Sequence, residues 1–369
     1  MPGRADVAVV GLGAVGAFSA SAAARAGADV IGFDAYAPPH DLGSSHGETR
    51  LVRVAYAEGA VYVPLARRAV ALWRDLNART GAELFAQRGV FYAAPPGAAM
   101  IEGVRRSADT HGLALERREA VAGVAAPAGW DGVYEPEGGY ARVEDAIAAA
   151  LDEAEAAGAA LMRRTPVTAI ERDHGGWSIE TASGRFGAER LILAAGGWTG
   201  ALAPSLAALL RIERRVQVWF APGARPLDPA AAPAFAFQDE TGDWCYGAPS
   251  PRTGGMKLGR HQGDDPASDP DGVVRGISDA DLAPAKGYAA RYFPGAGPVT
   301  EAATCFYTMT PDGDFLIDDA AQEEGRVTIA GLSGHGFKFA PALGEFAALR
   351  ALGRDAPIDL APFSPARFV

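Results

Sequence analysis

The chain is predicted to adopt an α/β fold in which a Rossmann-like domain, assembled from separated segments, interleaves with an α+β domain carrying a mostly antiparallel sheet. Three observations lead there. At the N-terminus an apolar strand runs straight into a glycine-rich turn and an alanine-rich helix. Glycine turns follow apolar strands again much later, at Gly196-Gly197 and at Gly331 to Gly336. Between these α/β segments lie stretches rich in Pro, Gly and Asp that offer only short strands, as an inserted domain would.

Taken in order, Asp6-Val-Ala-Val-Val10 is a continuous apolar run, the mark of a parallel strand covered on both faces. A helix follows to about Ala26, Gly27 stops it, and Asp29 to Asp34 is the second strand. A second helix is predicted over about Val61 to Asn77, with Leu65, Ala69, Leu72, Trp73 and Leu76 on one face. Residues 86–137 alternate short apolar runs with Gly and Pro. Val143 to Ala157 is helical again, and strands are expected at Val167–Glu171, Trp177–Thr181 and Arg190–Ala195. Residues 206–299 contain short strands such as Arg215–Ala221 and Met256–Arg260. The strand Arg326–Ala330 and a helix from about Phe339 to Leu352 close the chain. The predicted division is 1–85, 138–205 and 300–369 for the dinucleotide domain and 86–137 and 206–299 for the substrate domain.

The 369 residues exceed one ordinary core, and 49% hydrophobic with 21% charged residues is a globular balance. A net charge of −11 with no basic stripe argues against nucleic acid as a partner. The first apolar run is too short for a leader or a membrane span. Two cysteines, Cys245 and Cys305, make neither a disulfide framework nor a metal cluster. A reducing, cytoplasmic setting with no membrane and no metal is the simplest reading, and a monomer is expected.

Gly11, Gly13 and Gly16 fit G-x-G-x-x-G with a strand before and a helix after. The first glycine allows the tight turn, the second lets backbone approach a pyrophosphate, and the third lets helix pack on strand. The anion then meets the unpaired N–H groups of the helix N-terminus. Asp34 ends the second strand, where a carboxylate accepts hydrogen bonds from an adenosine ribose. After Asp34 the chain leaves for a long loop and rejoins the sheet only near residue 190. A nicotinamide enzyme would continue with further βα units, so this layout suits FAD.

Four segments in order then carry a family resemblance. They are the loop Pro38–Arg53, Lys257-Leu-Gly-Arg-His261, Cys305-Phe-Tyr-Thr-Met-Thr-Pro-Asp312 and Gly331-Leu-Ser-Gly-His-Gly-Phe-Lys338. In these the chain resembles the monomeric sarcosine oxidase and N-methyltryptophan oxidase group of the glycine/D-amino-acid oxidase superfamily, and the likeness extends over nearly its whole length. The resemblance implies an FAD-binding domain of the glutathione-reductase type, with Ser44, Arg50, Val167, Gly196, Gly334, Gly336 and Lys338 joining the fingerprint at the cofactor. It implies covalent flavin through Cys305, a step in which a thiolate adds to the ring's electrophilic 8α carbon. On its own a lone strand cysteine is more often a core residue, and Cys245 keeps that reading.

The same resemblance makes Lys257 the lysine that activates dioxygen. At ~5 Å and an effective dielectric of ~20 a fixed cation contributes about 3 kcal/mol to a forming anion, roughly two orders of magnitude in rate. It makes Arg53 and Lys338 a clamp for a substrate carboxylate, a pairing that suits bidentate recognition. Read without the family, Thr49-Arg-Leu-Val-Arg53 suits a solvated strand edge equally well. Tyr246, His261, Tyr307 and His335 are expected to line the pocket. Two departures from the family pattern bear on the substrate: Ser45 stands where relatives often carry histidine, and Trp244-Cys245 precedes Tyr246. The implied reaction is oxidation of a small secondary amino acid such as sarcosine, with dioxygen as acceptor and hydrogen peroxide as product. A cyclic, proline- or pipecolate-like imino acid is the alternative substrate. An inert flavin-binding subunit is the alternative of another class.

Overall fold

The computed structural model describes residues 4–263, 265–267, 269–322 and 324–369. At its centre the strand Ala5–Val10 lies between Val30–Phe33 and the C-terminal half of Gly184–Leu193, parallel to both. Ala160–Met162 extends this sheet beyond Val30–Phe33, and Arg326–Ala330 extends it beyond Gly184–Leu193, again in parallel. Leu316–Ala320 closes that edge antiparallel. The N-terminal half of Gly184–Leu193 turns away into a meander with Gly176–Thr181 and Val167–Asp173.

Parallel strands need cover on both faces. The helices Ala14–Arg25, Val143–Ala156 and Ala340–Ala351 supply one layer of it. They pack on one another through small residues, and Gly344 lets the last helix meet the backbone of Phe18 and Ser19. The helix Val63–Thr80 adds Leu65, Trp73 and Leu76 to the same core.

The second sheet is long and antiparallel except at one seam. Its strands run Glu116–Arg117, Asp131–Glu135, Val90–Ala94, Ala234–Gln238, Trp244–Pro249, Met256–Arg260, Arg211–Phe220 and Val299–Met309, and only Val90–Ala94 with Ala234–Gln238 is a parallel pair. Val299–Met309 crosses the expected boundary at residue 300 and pairs along its length with Arg211–Phe220. Alternation sorts the strand Ala234–Gln238 cleanly. Phe235 and Phe237 point into one apolar cluster, where the ring of Tyr292 stacks on Phe237 at 4.7 Å. Ala234 and Ala236 belong to a separate cluster with Tyr92 and Met100.

Two helices of more than twelve residues were not foreseen in the sequence. Ala99–His111 lies within the Gly- and Pro-punctuated stretch 86–137. Asp279–Tyr292 carries Pro284 inside it, and Ser278 caps it by exchanging hydrogen bonds with Asp281. Thr49–Val52, Gly139–Arg142 and Phe85–Ala86 form a separate three-stranded sheet. Among the described residues no helix is long and apolar enough to cross a membrane.

Candidate active site

A single cleft of about 520 Å³ runs from the glycine turn at Gly11 to Tyr246 on the long sheet and to Lys338 in the turn before the last helix. Its nucleotide end follows from the fingerprint. Gly11 has φ +88°, and a Cβ there would strike Ala194 O at 2.5 Å. A Cβ on Gly16 would lie 1.7 Å from Gly11 O, so only glycine lets the helix begin so close to the strand. Gly13 has open space where its Cβ would be, and it precedes the helix Ala14–Arg25 with no side-chain cap. That is the cradle a phosphate needs: bare N–H groups and nothing to block them. Asp34 accepts from Leu12 N and Tyr36 N, both at 2.8 Å, which ties the second strand to the turn. Val167, Gly196, Ser44, Gly334 and Gly336 also line the cleft. Ser44 Oγ donates to Phe306 O at 2.7 Å, holding the long loop against the strand that carries Cys305.

The middle of the cleft is set by the segment 46–53. Arg50 donates to Gln217 Oε1 at 2.8 Å and to Ser44 O at 3.3 Å. Lys257 is 2% exposed and stands outside the lining of the cleft, its Nζ donating to Gly47 O at 2.7 Å, to Thr49 O, and to Gln217 Oε1 at 3.2 Å. Burial, with Arg50 adding to it, pushes its ammonium well below the ordinary lysine range. Cys305 is likewise buried just outside the lining, and in register it faces Arg215 across the strand pair. Buried side-chain atoms without a partner include His46 Nε2, Thr49 Oγ1, Arg53 Nη1 and Gln217 Nε2, all on or against this one segment. Native proteins leave few such groups unpaired, and a cluster of them marks where a polar ligand belongs.

The far end is cationic and aromatic. Arg53, 7% exposed, donates from Nη2 to Glu58 and lies 4.0 Å over the ring of Tyr56. Lys338 sits in the turn Phe337–Phe339 just ahead of the last helix and donates to His335 O at 2.7 Å and Tyr56 Oη at 3.3 Å. Burial and the neighbouring Arg53 hold its ammonium well below the ordinary range. Tyr56 Oη meets His335 Nδ1 at 2.7 Å, while Nε2 of the same ring meets Gly313 O at 3.1 Å. A carbonyl can only accept, so Nε2 carries the proton and Nδ1 accepts from the tyrosine. Burial lowers His335 to about 3 and His261 to about 4, so both are neutral near pH 7. Tyr246 and Tyr307 face each other with hydroxyls 3.3 Å apart, and the ring of His261 lies 5.7 Å from that of Tyr307.

The structure therefore gathers Arg53, Lys338, Tyr246, His261, Tyr307 and His335 around one chamber, with Lys257 and Cys305 behind its wall. Glu58, Tyr56, Tyr92 and Glu135 were not singled out from the sequence. Glu58 had one available signal, an acid five residues beyond a basic strand. Glu135 had none: it is buried and accepts from Val54 N and Tyr92 Oη, which fixes the backbone beside Arg53.

A phosphate cradle on a parallel sheet, opening into a chamber with buried cations and unpaired polar atoms, fits a flavin-dependent oxidoreductase. The chain belongs to the FAD dependent oxidoreductase family, matched over residues 6–350, and within it to the sarcosine oxidase and N-methyltryptophan oxidase group. It is 40% identical to an N-methyl-L-tryptophan oxidase of Salmonella arizonae across 98% of this chain and 99% of that one. Among solved structures, NikD, an amino acid oxidase essential for nikkomycin biosynthesis, shares the fold at TM-score 0.84 and 23% identity over 98% of this chain and 97% of its own. Glycine oxidase from Geobacillus kaustophilus does so at TM-score 0.80 and 23% identity over 99% of each. The protein is an FAD-dependent amine oxidase with oxygen as acceptor.

The Arg53–Glu58 pair has a pH signature. Burial alone would raise the Glu58 carboxyl, but Arg53, helped by His335, outweighs it and holds the group well below the usual carboxylate range. A carboxyl depressed in the folded state contributes stability above its unfolded pKa of about 4.3 and loses it as pH falls toward the folded value. With 23% of its side chain exposed, Glu58 is only partly shielded, so Glu58→Gln is expected to cost about 1 kcal/mol at pH 7, less than the loss of a fully buried pair, and progressively less below pH ~4. Urea titrations at both pH values check this, and equal stability of variant and wild type at pH 7 would show the pair to be worthless.

Proposed function

We propose that the enzyme oxidises N-methyl amino acids, sarcosine being the simplest, to an imine that water hydrolyses to the amino acid and formaldehyde. The observation that carries this is Arg53 Nη1, a buried guanidinium donor with no partner, in the same chamber as Lys338. Lys338 Nζ uses two of its three donors within the protein. Both residues thus keep a free N–H for one carboxylate, and burial makes the pair ill at ease without it. The N-methyl-L-tryptophan oxidases among the relatives fit a substrate with both a carboxylate and a methylated nitrogen.

The same charges prepare the amine. Positive charge from Arg53 and Lys338 near the substrate nitrogen disfavours its ammonium form. With His261 and His335 neutral, no proton is offered back, and the nitrogen keeps its lone pair free. FAD, when bound, takes up the hydride equivalent from the carbon next to that nitrogen and passes two electrons to dioxygen, giving hydrogen peroxide. In this reading the fingerprint glycines, Asp34, Ser44, Arg50, Val167, Gly196, Gly334 and Gly336 hold the cofactor. Cys305 forms the thioether link, and Lys257 supplies the fixed positive charge for oxygen reduction. Tyr246, Tyr307 and His261 confine the substrate. The enzyme works as a cytoplasmic monomer, and a reducing compartment suits two buried cysteines that form no disulfide with each other.

Two outcomes are expected. Lys338→Met should lower the second-order rate of anaerobic flavin reduction by an N-methyl amino acid by roughly thirtyfold to five-thousandfold, the ~2–5 kcal/mol of a truncated buried charge pair. Stopped-flow traces that show no loss would remove Lys338 from the clamp. Acid precipitation should leave yellow flavin on the wild-type polypeptide and release it from Cys305→Ser. Free flavin from the wild type would rule out the thioether.

A further inference from the structure

Two cations share two oxygens where the segment 46–53 lies against the long sheet. Lys257 Nζ and Arg50 Nη1 both donate to Thr49 O. Both also donate to Gln217 Oε1, at 3.2 and 2.8 Å respectively. Thr49 O is backbone, present whatever the residue. Gln217 is a side chain, and glutamine is a rare occupant of a strand position that is 0% exposed.

The surroundings are shaped to that amide. Register sets Gln217 between Gly259 and Ala303 on the two neighbouring strands, so it has room on both sides. Alternation puts it on one face with Trp219, which pairs with Lys257, and with Arg215, which pairs with Cys305. The loop above gives way as well. Gly47 has φ +94°, and a Cβ there would lie 2.3 Å from Gln217 Oε1. The amide can point only one way, because Lys257 and Arg50 are donors and its oxygen must face them. That leaves Nε2 buried without a partner, a defect an apolar residue would avoid. An apolar residue would instead take an acceptor from each cation and leave the two charges with only Thr49 O between them.

We propose that Gln217 is a positioning residue for the oxygen half-reaction: its amide oxygen bridges Arg50 and Lys257, fixes both on one face of the sheet and keeps the ammonium charged beside a second cation. The inference rests on the reading of Lys257 as the cation for oxygen reduction and deepens it. Around Lys257, burial and Arg50 disfavour the charged form, while Glu48, Glu144 at the start of the helix Val143–Ala156, and Cys305 favour it. His46 is lowered to about 3 by burial and Arg50 and is neutral near pH 7.

The test uses holoenzyme labelled with carbon-13 at the lysine ε carbons. The chain has three lysines, Lys257, Lys286 and Lys338, so the NMR signals are few and Lys257→Met identifies the one of interest. Its titration needs no turnover. Gln217→Leu is expected to lower the pKa of Lys257 by about one unit. Gln217→Glu accepts from both cations and adds a negative charge, and is expected to raise it by about one to three. Gln217→Met serves if the leucine variant fails to bind flavin. A general loosening of the site would not move the two variants in opposite directions. The second readout is stopped-flow reoxidation of dithionite-reduced enzyme against pH. Lys257 is charged below its pKa, so the rate is expected to fall as pH rises through it, with a midpoint that follows the NMR value in each variant. A Lys257 pKa that stays put in both variants, or moves the same way in both, would overturn the bridge. If the signals move as expected and reoxidation ignores them, the bridge stands, and the oxygen role of Lys257 falls together with the place of Gln217 in that half-reaction.

Discussion

Two basic side chains buried side by side constrain everything else in the chamber. Arg53 and Lys338 are each 7% exposed, and Arg53 adds to burial in lowering the Lys338 ammonium. Desolvating one charge is costly, and two of the same sign more so. The fold meets that cost with what lies in reach. Glu58 takes one arm of the guanidinium, the Tyr56 ring covers its face, and His335 O with Tyr56 Oη accepts from the ammonium. The compensation is incomplete, since Nη1 stays unpaired and the Lys338 ammonium stays strained by burial. In the proposed reading an incoming carboxylate completes it, and substrate binding is then coupled to the protonation of Lys338, because the anion restores the charged form that burial disfavours.

The two sheets divide the labour that this arrangement needs. The parallel sheet presents glycine turns at the carboxyl ends of its strands, where open α/β sheets bind ligands. The antiparallel sheet presents side chains in rows, so that residues far apart in sequence become neighbours by register. Arg215 faces Cys305 on one strand pair, Glu213 faces Tyr307 on the same pair, and Ala236 faces Tyr246 on another. The Arg215 guanidinium lies 4.7 Å over the Tyr307 ring, pairs with Glu213 and donates to His261 O at 3.0 Å. This buried pair thus steadies two walls of the chamber at once. Glu135 does the same for Tyr92 and the backbone after Arg53.

What the sequence made legible follows from how local each signal is. The turn Gly11–Gly16 is readable because its geometry and its chemistry sit in six consecutive residues, and Asp34 falls at the end of the next strand. The strand Arg326–Ala330 and the helix Val143–Ala156 carry their own periodicity. The helix Asp279–Tyr292 was hidden because Pro284 reads as a breaker, and its ring does stand inside the helix, past the first turn, where it removes one backbone hydrogen bond. The pairing of Val299–Met309 with Arg211–Phe220 is invisible to a pattern of alternation, which marks a strand without naming its partner. Site residues divide the same way. Lys257, Cys305, Arg53 and Lys338 stand in segments with a family pattern, whereas Glu58 and Glu135 matter only through what register and loop path bring beside them.

The central claim is that the buried cations exist for a substrate carboxylate, and the most direct measurement compares one amine with and without that group. Anaerobic stopped-flow reduction of the flavin should be followed with N-methyl-L-phenylalanine and with N-methylphenethylamine, which lacks only the carboxylate. The amino acid is expected to react with a second-order constant larger by roughly a hundredfold or more, about 2.7 kcal/mol at ~1.36 kcal/mol per tenfold. Equal constants for the two amines would contradict the account.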